Sequence, residues 1–236
     1  MPPEEAREFV CARCRSLLRP PAPPRCPRCD VPLGTGQPLG TTCLECADWP
    51  EVLVSARAAV VMEPPADALV HALKYAGWRP LGEIMGRRMA GVSRSRGGNP
   101  IVVPIPTTGR RRRVRGYNQA GVLAEVVARE LRLPMVEALD RPRGRTQVRL
   151  GTRERQANVM GSFRVSPSFR SRIIGSEVIL VDDVLTTGAT ARSAAKILGD
   201  HGVGSVDLLT FARALPFGAG EPRTPFSQHP SRPKPK

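Results

Sequence analysis

Cysteine is missing after residue 46 of this 236-residue chain, aromatic residues make up 4%, and only 4 of its 36 cationic side chains are Lys. Without a later thiol, the body of the chain can use no cysteine nucleophile or thiolate ligand. With so few rings, no aromatic cluster is evident for stacking a base. No stretch reaches the ~18 consecutive apolar residues of a membrane span. The start, with Glu4, Glu5, Arg7 and Glu8, lacks the basic-then-apolar pattern of a secretion signal, so the expected location is the cytoplasm. Hydrophobic residues at 41% still suffice for a core, which excludes wholesale disorder and fibrous repeats.

What is present is concentrated. All six cysteines form three Cys-x-x-Cys pairs, Cys11/Cys14, Cys26/Cys29 and Cys43/Cys46. Two thiolates from one tight turn grip one side of a tetrahedral ion, and a second pair completes the site. Cys26-Pro-Arg-Cys29 and Cys43-Leu-Glu-Cys46 read as two knuckles joined by a Gly-containing turn at Gly34, Gly36 and Gly40. A structural Zn2+ on Cys26, Cys29, Cys43 and Cys46 suits this set better than disulfides do, given the missing secretion signal. Four Cys ligands leave no open position for water, so such a site folds or docks and does not catalyse. Cys11/Cys14 is left over. It is expected to be half of a second ribbon with its other half missing upstream, the alternative being competition with Cys43/Cys46 for one ion. The Pro-rich stretch 19–25 is a stiff spacer between the first two pairs.

Beyond residue 51, short apolar runs alternate with longer amphipathic ones, as βα units do. Strands are expected at 58–62, 101–103, 135–139, 178–181 and 206–211, and helices at 66–75, 79–90, 119–131 and about 190–198. Residues 140–160 carry eight charges and read as a mobile excursion. The division is a Cys-rich module over 1–50, an α/β domain over 51–215 and a basic, Pro-rich, disordered tail over 216–236.

One segment carries recognisable chemistry. Val178-Ile179-Leu180-Val181 is an apolar strand that ends in Asp182 and Asp183, after which Thr186-Thr187-Gly188-Ala189-Thr190 opens a helix. Backbone N–H groups at a helix start attract phosphate, Gly188 allows close approach, and the Thr hydroxyls add donors. The two carboxylates suit vicinal hydroxyls or, through water, Mg2+. Together they fit a sugar phosphate. An ordinary acidic strand end before an N-capped helix accounts for one Asp and one Thr, and not for the whole run. Lys74 and Arg115 are candidate cations for a diphosphate, and Thr107-Thr108-Gly109 after Pro104 and Pro106 would suit the loop that receives it. Arg110 to Arg113 with Arg115 suit phosphate better than any core role, and a nucleic-acid backbone would satisfy them equally.

The run VILVDDVLTTGAT resembles the phosphoribosyl pyrophosphate signature of type I phosphoribosyltransferases. Further stretches resemble the ComF branch of that fold, which pairs it with an N-terminal zinc module: His71-Ala-Leu-Lys74-Tyr75, Val103-Pro-Ile-Pro106, Arg115-Gly116-Tyr117-Asn118-Gln119, Gln147-Val-Arg-Leu150 and Arg155-Gln-Ala-Asn158. The resemblance runs from about Cys11 to Arg213. It departs at Asp30, where Gly is usual, and at Gly144, where many relatives have Thr. It implies an α/β parallel sheet flanked by helices. It assigns Asp182 and Asp183 to the ribose hydroxyls and Thr186 to Thr190 to the 5-phosphate, with Mg2+ as cofactor. It also puts the zinc module where a base-recognising hood is often found, and makes a homodimer a common form.

The net charge of +15 is uneven: residues 101–172 carry 16 Lys and Arg against 5 Asp and Glu. A GC-rich genome alone would spread Arg more evenly, so the excess reads as a positive rim for an anion. Three functions follow. The chain is a phosphoribosyltransferase of unreadable acceptor, a ComF-type DNA-uptake factor that binds single-stranded DNA and competence proteins and keeps the sugar-phosphate site for regulation, or a plain zinc-ribbon binder of nucleic acid.

Overall fold

The computed structural model describes residues 9–33, 43–94, 100–141 and 163–215. The Gly-containing turn at 34–40, most of the charged excursion, the stretches at 147–150 and 155–158, and the tail lie outside the described residues.

Strands β1 (Leu53–Val61), β2 (Ile101–Pro104), β5 (Glu177–Leu185) and β6 (Ser205–Arg213) form one sheet in the order β1-β6-β5-β2. Every pairing in it is parallel. Parallel strands are covered on both faces, which is why their apolar runs are nearly continuous. Alternate β5 residues serve opposite layers. Ile179 and Val181 pack with helices α2 (Ala66–Tyr75), α3 (Leu81–Ala90) and α5 (Gln119–Leu131), along with Phe211 of β6. Val178 and Leu180 pack instead with Ala191, Ala194 and Leu198 of helix α7 (Ala189–Asp200). Cys26, Cys29, Cys46 and Trp49 belong to this second layer, so the Cys module and the α/β domain share a continuous core.

The helices at 66–75 and 119–131 fall where their periodicity puts them; the other helices shift by one or two residues. The strands depart more. β1 begins at Leu53 and not at residue 58, because Ser55 and Arg57 interrupt the apolar run: Ser55 hydrogen-bonds Asp207 of β6, and the Arg57 guanidinium donates to the Pro27 carbonyl at 2.7 Å. The expected strand at 135–139 is only a parallel bridge from Met135 to Val102, followed by β3 (Leu139–Asp140), which pairs antiparallel with β4 (Arg164–Val165). The Arg run, for which no helix was expected, forms α4 (Gly109–Arg115). Thr108 caps it by accepting from the Arg111 N–H at 3.3 Å, and Gly116 ends it at φ +81°. The remaining short helices are α1 (Ala12–Leu17) and α6 (Arg170–Ile173).

Gly82 and Gly86 let α3 lie directly on α5. A Cβ at Gly86 would sit 2.5 Å from the Val126 Cβ, and one at Gly82 would sit 2.4 Å from the Val122 Cγ1. Gly86→Ala is expected to cost about 1–3 kcal/mol through overpacking, read as a lowered thermal midpoint; an unchanged midpoint would refute this packing.

Candidate functional site

β5 does not stop at Val181. Its pairing with β6 continues through Asp182↔Thr210 and Val184↔Ala212 to Leu185↔Arg213, so the two acids are strand residues. On the other side β2 pairs only as far as Pro104↔Val181, with the Ile105 N–H donating to the Val181 carbonyl at 2.9 Å. The acids therefore lie at the carboxyl end of the sheet, beyond the last β2 rung, where α/β folds place their ligands.

After Leu185 the chain turns through exposed Thr186 and Thr187 to Gly188, which precedes α7 at φ +74°. That angle costs glycine almost nothing and strains other residues. A concave pocket is lined by Asp182, Leu185, Thr186, Thr187, Gly188, Ala189, Thr190 and Thr210. The structure thus brings Asp182 together with the whole Thr/Gly run, whereas Asp183, next on the strand, is not among the lining residues.

The candidate cations divide. Lys74 Nζ, at the end of α2, lies 2.9 Å from an Asp183 carboxylate oxygen. Arg115 stacks on the exposed Tyr75 ring, its guanidinium carbon 4.7 Å from the centroid, and forms no ion pair with a described carboxylate. Its neighbours Arg110 to Arg113 are exposed and likewise unpaired among the described residues. Tyr117 donates its hydroxyl to the Leu73 carbonyl, which ties the α4–α5 junction to α2. Asp183 is 7% exposed, and its N–H donates to Asp182 Oδ1 at 2.8 Å. Although Asp182 keeps some exposed surface, apolar burial of its carboxyl and the adjacent Asp183 push it up to about 7, with Lys74 and Arg141 pulling the other way.

The four sulfurs of Cys26, Cys29, Cys43 and Cys46 all lie within 4.8 Å of one another. Three of their separations are 3.7 Å (Cys26–Cys46), 3.3 Å (Cys29–Cys43) and 3.6 Å (Cys43–Cys46). A tetrahedron with Zn–S bonds of about 2.3 Å has an edge of about 3.8 Å, so the donor set fits a zinc ion in type, number and spacing. Burial and neighbouring sulfurs raise the Cys29 thiol and push Cys46 up to about 12. Backbone N–H groups of Cys29, Cys43 and Arg28 outweigh burial at Cys26 and bring it down to about 6. Four thiolates in so small a volume need a cation to share their charge. Cys11 and Cys14 stand apart from this cluster. Cys11 is exposed and accepts from the Cys14 N–H at 3.4 Å at the start of α1.

Several residues here were not singled out by the sequence. Arg28, between two of the cysteines, donates to the carbonyls of Cys46, Trp49, Pro50 and Leu53 at 3.0–3.3 Å. Asp48 pairs with Arg192 of α7, and Glu45 with the buried Arg213 at 3.2 Å. These contacts seat the Cys module against the Thr/Gly-turn side of the pocket. Arg141 stacks on Phe163 at 4.9 Å and adds positive potential at Asp182. Only Arg28 had a hint in the sequence, its place within Cys26-Pro-Arg-Cys29.

Residues 75–228 match the family model described as phosphoribosyl transferase domain. The chain is 28% identical over 215 residues to the DNA utilization protein YhgH of Salmonella typhi, covering 87% of this chain and 91% of that one. It is 28% identical over 222 residues to competence protein ComFC of Bacillus subtilis, covering 88% and 85%. A solved glutamine phosphoribosylpyrophosphate amidotransferase from B. subtilis aligns over 59% of this chain and 30% of its own, at 18% identity and a TM-score of 0.42. With its four-cysteine cluster, parallel sheet and matched domain, the chain belongs to the ComF family of phosphoribosyltransferase-like proteins.

Proposed function

We propose that the protein binds phosphoribosyl pyrophosphate with Mg2+ in this pocket and acts as a phosphoribosyltransferase. The observation that carries the reading is a cleft lined by the strand-end carboxylate of Asp182 and by the Thr/Gly turn that opens α7, with Asp183 next along the same strand. The turn's N–H groups and the hydroxyls of Thr186, Thr187 and Thr190 would hold the 5-phosphate. Asp182 and Asp183 would accept the ribose hydroxyls and organise the sugar; they need not attack it. The carboxylates also fit a hard dication, which when bound neutralises charge on the departing diphosphate. Displacement at the anomeric carbon breaks its bond to pyrophosphate and forms one to the acceptor, with charge developing on the leaving group. Lys74, held on Asp183, balances the acid pair, and Arg115 is the cation free to meet the diphosphate. Calorimetry with phosphoribosyl pyrophosphate and Mg2+ tests the reading: absence of binding by the zinc-loaded chain would sink it. Pyrophosphate release across a screen of bases, amines and nucleic acids then identifies the acceptor.

A second reading is favoured by one observation, the exposed Arg110 to Arg113 on α4 with no carboxylate partner among the described residues. It makes the protein a non-catalytic factor of DNA uptake that binds single-stranded DNA. The names of the relatives point the same way. Binding that fails to weaken steeply with salt would argue against a phosphate-backbone contact.

A further inference from the structure

We propose that Trp49 is a positioning residue for the phosphate-binding turn, through which the metal on the four-cysteine cluster and the sugar phosphate strengthen each other's binding. The proposal rests on the sugar-phosphate reading of the turn.

Three observations place Trp49 between the two sites. The first is contact with the turn itself. A Cβ at Gly188 would lie 3.2 Å from Trp49 Cζ2 and 3.3 Å from Nε1, so the indole edge packs on the residue that opens α7. Trp49 is 5% exposed, and its Nε1–H is buried without a partner. A buried unpaired donor carries a desolvation cost.

The second is the grip on Trp49 from the metal side. Its N–H donates to the Cys46 carbonyl at 3.2 Å. The Arg28 guanidinium, fixed between Cys26 and Cys29, donates to the carbonyls of Cys46 and Trp49 at 3.1 Å and lies 5.9 Å from the indole centroid. Both knuckles therefore set the position of one ring.

The third is a parallel contact one helical turn on. Asp48 pairs with Arg192, whose own N–H donates to the Gly188 carbonyl at 2.8 Å. Consecutive residues of the module thus hold both ends of the first turn of α7. Thr186 and Thr187 are exposed, so the wall behind Gly188 does much to order the turn. Any ligand that orders it further stabilises the metal-bound module, and the converse follows by linkage.

The test is zinc release from the full zinc-loaded chain to a zinc-selective dye, with and without saturating phosphoribosyl pyrophosphate and Mg2+. Ligand is expected to slow release at least about fivefold, the lower end of typical site-to-site coupling. Trp49→Ala keeps all four Cys ligands. It is expected to retain zinc, to bind ligand at least about fivefold more weakly, and to release zinc at a rate that ligand no longer changes. Trp49→Phe, which keeps a ring against Gly188, restores most of the coupling. Equal release rates in wild-type chain that calorimetry shows to be ligand-bound would overturn the proposal, even if Trp49→Ala fails to fold. Intact coupling in Trp49→Ala would overturn it too. Lack of any ligand binding by the zinc-loaded wild type is a separate outcome, which fells the sugar-phosphate reading and this proposal together.

Discussion

Replacing Asp182 and Asp183 together by Asn is expected to weaken phosphoribosyl pyrophosphate binding by on the order of a hundredfold or more. Each hydrogen bond to a charged acceptor contributes about 1.5–3 kcal/mol, and two are lost at once. The pair is also poised to make binding depend on pH. Asp182 is pushed up to about 7 from an ordinary value of 3.8. For an acid whose folded value is raised, the ionised form is the disfavoured one in the fold. Its contribution to stability is greatest below about 4, falls as pH rises, and stops falling above about 7. The ligand needs the ionised form to accept its hydroxyls, so affinity is expected to rise through pH 7 and then level off. The phosphates titrate nearby, at about 6, so Asp182→Asn is the control: its residual binding loses the portion of the rise that belongs to Asp182. Calorimetry from pH 6 to 8 makes the comparison, and parallel pH profiles for wild type and Asp182→Asn would refute the assignment.

The second large effect concerns the four-cysteine cluster. Zinc binding to small structural sites is worth on the order of 10 kcal/mol, which becomes folding free energy where the site is unformed without metal. Cys46→Ser is expected to abolish stoichiometric zinc by elemental analysis and to remove hydrogen-exchange protection at Cys26–Leu33 and Cys43–Trp49. The effect should spread beyond the module, because Cys26, Cys29 and Cys46 share a core with Leu53, Leu185 and Leu208. A lowered thermal midpoint for the whole chain follows. Cys11→Ser, outside the cluster, is expected to leave zinc content and midpoint unchanged. Full zinc content in Cys46→Ser would refute the four-ligand site.

Much of the fold was legible because its signals are local. Val178 to Thr190 encode strand, acids, turn and helix start on contiguous backbone, and the helices at 66–75 and 119–131 follow from amphipathic periodicity. Strand ends were not legible, since where a strand stops depends on its neighbours. β5 runs on past Val181 because β6 keeps pairing with it, and β1 starts early because Asp207 and Pro27 satisfy its polar residues. The helix over the Arg run was not legible either, because five like charges on seven residues argue against one; Thr108 and Gly116 cap it.

By itself, the sequence determined the chemistry on offer: three Cys-x-x-Cys pairs, one acidic Thr/Gly signature and one arginine-rich stretch. Tertiary structure decided which of these meet. It gathered two of the three Cys pairs into one cluster, set Lys74 on Asp183 while leaving Arg115 on Tyr75, and pressed Trp49 against Gly188. Those contacts join residues far apart in the chain. They depend on strand order and on which faces of the sheet are covered, and local propensity specifies neither.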